Sequence, residues 1–107
     1  MYASHAPSDA YTAYLSAVGN AGSIKEVHPF LSALAQKRAA GDLEALKARV
    51  PGGRLKILDE QIQGDRATVT VSGTLQKQGK ELPATGTVVL MREGGGWKVD
   101  QESWVAN

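Results

Sequence analysis

Asp100 and Glu102 stand two residues apart between Trp97 and Trp104, in the stretch Gly94-Gly-Gly-Trp-Lys-Val-Asp-Gln-Glu-Ser-Trp104. Two carboxylates on an aromatic bed are the equipment of sugar-processing enzymes. On a strand they lie about 7 Å apart, within the range that glycosidase carboxyl pairs span. A second acidic pair, Asp59 and Glu60, is adjacent in sequence, so strand alternation turns one of the two toward the interior. Tyr11 and Tyr14 are three residues apart on a helical pattern and could donate hydroxyls into a pocket. His5 and His28 have no partner at ligand spacing, so no metal site is expected. With no cysteine there is neither a thiol nucleophile nor a thiolate ligand. No motif calls for a cofactor.

Alternation decides how the first pair reads. If Trp97 faces inward, Val99, Gln101, Ser103 and Val105 share its face, while Lys98, Asp100, Glu102 and Trp104 take the other. The carboxylates then belong to a wet, charged face, and Trp104 is a large ring among charges that needs a cover or a partner. Gly94-Gly-Gly96 is a turn and not a phosphate loop, because no helix follows it. Tyrosines on an apolar helix face most often bury the ring and satisfy the hydroxyl at the edge.

The elements that must position these residues follow from periodicity. Residues 1–7 read as a flexible arm and 8–107 as one domain. Ser8 is placed to cap a first helix whose face carries Tyr11, Tyr14, Leu15 and Val18. Ser23-Ile-Lys-Glu26 is a capping-box pattern that starts a second helix, with a break near His28 imposed by Pro29 and helix resuming through Arg38. Asp42 caps a short third helix with Leu43, Leu46 and Val50 on one face.

After Gly53 the period changes to two, predicting strands over 54–62, from 65 or 66 to 75, 82–92 and 97–105, joined at Gly64, Gly79 and the triple glycine. In the second strand Ala67, Val69, Val71 and Gly73 share the inner face and Thr68, Thr70, Ser72 and Thr74 the outer one. In the first, the apolar run Leu55, Ile57, Leu58, Ile62 breaks alternation and predicts a bulge. The fold class is α+β: three N-terminal helices packed on a four-stranded antiparallel sheet.

Twelve basic against eleven acidic residues give a net charge of +1, which supplies no field for nucleic acid. No run approaches the roughly 18 apolar residues of a membrane span. The small, polar lead-in Tyr2-Ala-Ser-His-Ala-Pro-Ser-Asp9 reads as the start of a mature exported segment, in the periplasm or cell envelope.

Three helices, a hairpin ending in Gly64-Asp65-x-Ala67-x-Val69-x-Val71, and a closing strand Gly-Gly-Trp97-Lys-Val99-Asp100 together resemble the nuclear transport factor 2-like superfamily, also called cystatin-like or SnoaL-like. Within it the chain looks most like small exported or lipoprotein-borne bacterial domains. The resemblance implies a curved sheet wrapped as a cone around the helices, and a fold that hosts isomerases, dehydratases, cyclases and non-enzymes alike. The expectation is a non-catalytic binding or structural domain for a peptide, protein partner or small apolar ligand. Tyr11, Tyr14, Asp59, Glu60 and Trp104 are its candidate contact residues. The alternative is an isomerase, dehydratase or cyclase using an acid of the first strand and a helix-1 tyrosine. A third reading is a homodimer formed through the sheet.

Overall fold

The computed structural model describes residues 6–39, 43–48 and 52–107. Among these residues three α-helices, α1 (Pro7–Asn20), α2 (Ala33–Ala39) and α3 (Leu43–Ala48), precede four strands, β1 (Gly52–Gln63), β2 (Arg66–Lys77), β3 (Lys80–Glu93) and β4 (Gly96–Ala106). The strands form one antiparallel sheet in the order β1-β2-β3-β4. The α+β class and the meander are as expected.

The helical half differs in detail. α1 begins one residue before the expected cap: Ala6 is its N-cap and Pro7 its first residue, where a fixed φ and a missing N–H cost nothing. Ala6 and the buried Pro7 therefore belong to the helix start and not to an arm. His5 and the rest of residues 1–5 lie outside the described residues, as do the expected cap Asp42 and Val50. The capping box at Ser23 and Glu26 forms, with Glu26 Oε2 accepting from the Gly22 and Ser23 amides. It opens a 3-10 turn (Ile24–Glu26) and not a full helix. Pro29 sits in a second such turn (His28–Phe30), which stops at an extended Leu31. The expected second helix is thus split, and only its C-terminal part is α-helical.

Each hairpin turns where positive φ is available. Gly64 (62°) serves β1–β2, Gln78 (53°) with Gly79 (78°) serves β2–β3, and Gly94 (61°) with Gly95 (84°) serves β3–β4. Ala67, Val69 and Val71 of β2, Ala84, Val88 and Leu90 of β3, and Val99 of β4 form the inner face of the sheet. Against it pack Tyr11, Tyr14, Leu15 and Val18 of α1, with Val27 and Leu31. Leu43 and Leu46 of α3 lie at the margin of this core.

Among the described residues, besides a register shift between Gly52 and Lys56, two bulges interrupt the alternation. In β1, Ile57 pairs with Val71 and Asp59 with Thr70, leaving Leu58 as the extra residue. In β4, Val99 pairs with Leu90 and Gln101 with Val89, leaving Asp100 unpaired. The first bulge was expected from the apolar run; the second was not. It reverses the orientation of everything after it.

Candidate functional site

The bulge at Asp100 has an identifiable cause. Ser32 caps α2, its Oγ accepting from the Ala35 amide at 3.1 Å, and the same hydroxyl donates to Asp100 Oδ1 at 2.6 Å. The Ser32 amide donates to Val99 O at 2.9 Å, Leu31 bridges to Val99, and Arg38 Nη1 donates to Asp100 O at 2.9 Å. The start of α2 therefore docks on the β4 edge at Val99 and draws Asp100 out of the ladder. Beyond it, Glu102 pairs with the buried Val88 and Trp104 with Gly86, both on the inner face, while Val105 is 69% exposed. This corrects the alternation expected from Trp97: Glu102 and Trp104 face the core side, and Val105 faces out.

Once turned inward, the half-buried Glu102 ties helix to sheet. Its Oε2 accepts from the Tyr11 hydroxyl of α1 and from Trp104 Nε1 at 2.9 Å. Tyr11 is fully buried, and its ring stacks on Tyr14 with centroids 6.2 Å apart and planes at 28°. Burial raises the Tyr11 pKa far above its ordinary value, the Glu102 charge and their hydrogen bond raise it further, and Trp104 opposes this only in part. Tyr11 is accordingly a neutral donor. Hydrogen bonds to a charged acceptor contribute about 1.5–3 kcal/mol each when they form inside a protein.

Trp104 lies flat on the sheet, where only glycine permits it. A Cβ on Gly86 would fall 2.5 Å from the indole, and one on Gly73 would fall 3.3 Å from it and 3.0 Å from Leu55. The ring thus covers two strands across a floor of glycines, an arrangement that recovers the apolar contact those glycines cannot make themselves.

Of the five residues singled out in the sequence, the fold brings Tyr11, Tyr14 and Trp104 together and leaves Asp59 and Glu60 elsewhere. Glu60 is on the inner face of β1 opposite Val69, where its Oε2 accepts from the Ser8 amide at 2.8 Å and stabilises the positive end of α1. Asp59 is on the outer face opposite Thr70 and accepts from Gln61 Nε2 at 3.1 Å. Glu102, expected with Trp104 on the outer face, lies with it on the inner one. Its signal was indirect: Trp104 stood awkwardly among charges, and a one-residue shift cures that for both. Trp97 is half-buried beneath the Arg92 guanidinium, 4.5 Å from the ring centroid. Among the described residues no cluster of His, Asp or Glu could hold a metal ion, and no helix is long and apolar enough to cross a membrane.

No protein-family model matches the chain, and neither does any curated protein. Among solved structures it is similar to a SEC-C motif containing protein from Rhodopseudomonas palustris, at 17% identity over 89% of this chain and 72% of that one, with a TM-score of 0.61. That likeness is one of fold. A variant of Rd1NTF2_05 with five substitutions overlaps more loosely, at 13% identity over 65% of this chain and 61% of that one, with a TM-score of 0.49.

Proposed function

We propose that the chain is a non-catalytic binding or structural domain of the nuclear transport factor 2-like type, whose partner is a peptide, a protein or a small apolar ligand. One observation carries this reading. The interior carboxylate, Glu102, has its Oε2 engaged by donors from Tyr11 and Trp104, so the groups that could do acid-base chemistry are spent on holding α1 to β4. The acids that the enzyme reading needs from β1 are engaged elsewhere: Glu60 holds the start of α1 and Asp59 faces outward. Exposed apolar surface is concentrated instead on β1, an edge strand on which Ile57, Leu58 and Ile62 are 42%, 51% and 51% exposed. Recognition there would use backbone pairing along the edge with apolar side chains as anchors. Placement in an exported bacterial protein, periplasmic or envelope-bound, is part of the proposal and rests on the resemblance to small exported domains.

The test is a titration of isotope-labelled protein with short extended apolar peptides and with small apolar compounds. Amide shifts gathered along residues 55–62 are expected. Shifts confined to Tyr11, Glu102 and Trp104 would refute the edge as the working surface.

A second reading rests on the same carboxylate. A helix-1 tyrosine does meet an acid, Glu102 of β4 in place of one from β1, and such a pair can move a proton at an enolisable carbon. Turnover abolished by Glu102→Gln while folding persists would favour an isomerase, dehydratase or cyclase.

A further inference from the structure

We infer that β1 is a self-complementary edge, and that the partner it takes is the β1 of a second copy of this chain, running antiparallel about a two-fold axis at Ile57–Leu58. The inference rests on the reading of β1 as the contact surface and names its occupant.

The two edges of the sheet are treated differently. The β4 edge is occupied at Val99 by Leu31 and Ser32. β1 is hydrogen-bonded to β2 on one side, and among the described residues no element pairs with its other side. An unpaired strand of 12 residues with exposed apolar side chains is a template for pairing.

The bulge at Leu58 determines what the edge can pair with. Residues opposite one another in an antiparallel ladder point to the same face. In an unbulged strand, positions an odd number apart point to opposite faces, so position 56 of one copy could not face position 59 of another. The extra residue removes that obstacle. Lys56 pairs with Ser72 and Asp59 with Thr70, both on the outer face, while Ile57 and Glu60 pair with Val71 and Val69 on the inner one. About a two-fold axis at Ile57–Leu58, each pair then agrees in face. Lys56 of each copy stands opposite Asp59 of the other on the outer face, and Leu55 stands opposite the stem of Glu60 on the inner face.

Lys56 and Asp59 are both exposed, and the symmetry makes their attraction twice over. Opposite charges directly across a ladder attract and like charges there repel. Leu58, which has no partner in its own sheet, meets the Ile57 of the other copy at the axis. An edge bulge ordinarily guards a strand against pairing; here it brings the charges of a self-pair into register.

Sedimentation equilibrium of the full chain over a range of concentrations tests this, with Lys56→Asp and Asp59→Lys as variants and circular dichroism to confirm that both exposed substitutions leave the fold intact. The expected result is a concentration-dependent dimer for the unmodified chain. Each single variant dimerises about tenfold more weakly, from two pairs turned from attraction to repulsion. An equimolar mixture of the two variants regains the affinity, because position 56 of one then meets position 59 of the other with opposite charge. A chain that stays monomeric at every concentration, a dimer indifferent to both substitutions, or a mixture no tighter than its components would overturn the inference. A monomer that still binds apolar peptides along residues 55–62 would overturn the self-pairing and leave the binding reading standing.

Discussion

The indole of Trp104 rests on Gly86, so closely that a methyl group added at position 86 would fall 2.5 Å from the ring. The two residues are cross-strand partners, and the absence of a side chain on one makes room for the other. Gly86→Ala must push the indole off the sheet and break its bond to Glu102. An overpacking cost of about 1–3 kcal/mol is expected in denaturant unfolding. Adding Trp104→Leu should make the alanine much cheaper than it is alone, since the ring it collides with is gone.

Tyr11 and Glu102 should behave as a coupled pair. Tyr11→Phe keeps the buried ring and removes the donor, so a loss of about 1.5–3 kcal/mol is expected. Glu102→Gln weakens the same bond from the other side. A double-mutant cycle by chemical denaturation should show the two losses to be clearly non-additive, whereas independent residues would give a simple sum.

The raised pKa of Tyr11 fixes the direction of an alkaline effect. Folding favours the neutral hydroxyl, so its contribution is fully present below the unfolded tyrosine value of 10.0 and declines as pH rises above it. Unfolding free energy measured from pH 8 to 11.5 should fall at the alkaline end, and Tyr11→Phe should flatten that fall. A variant with the same slope as the parent would show that Tyr11 is not the group responsible.

Ser32 links a helix cap to a strand bulge. Ser32→Ala removes the acceptor for the Ala35 amide and the donor to Asp100 together, and should cost about 1–2 kcal/mol, with amide exchange in α2 accelerating first. Deleting Asp100 is a complementary test. It leaves a regular ladder in which Val99, Glu102 and Trp104 keep Leu90, Val88 and Gly86 as partners, so cooperative folding should persist with Glu102 and Trp104 still inward, while α2, deprived of the contacts of Ser32 and Arg38 to residue 100, exchanges faster.

Most of the sheet was legible because its signals are local. The turns at Gly64, Gly79 and Gly94 need positive φ and have the residue that supplies it. Ala67, Val69 and Val71 alternate with threonines, and the tyrosine face of α1 repeats at helical spacing; all of these apolar residues are buried. The β1 bulge was legible as well, because four apolar residues cannot share one face of a regular strand. The orientation of Glu102 and Trp104 was not, because the bulge that sets it is made by Ser32, 68 residues away in sequence. Nothing in Val99-Asp100-Gln101 announces it. The same holds for Glu60, whose role depends on where the start of α1 comes to lie.

The end of β4 turns inward and lays Glu102 and Trp104 against the core. Nuclear Overhauser contacts of the Trp104 indole in labelled protein test it most directly. Cross-peaks from the indole ring to the Gly86 α-protons and from its N–H to the Tyr11 ring are the predicted result. Contacts from Trp104 to the outer-face residues Thr85 and Thr87, with Val105 methyls lying over Gly86 instead, would contradict it.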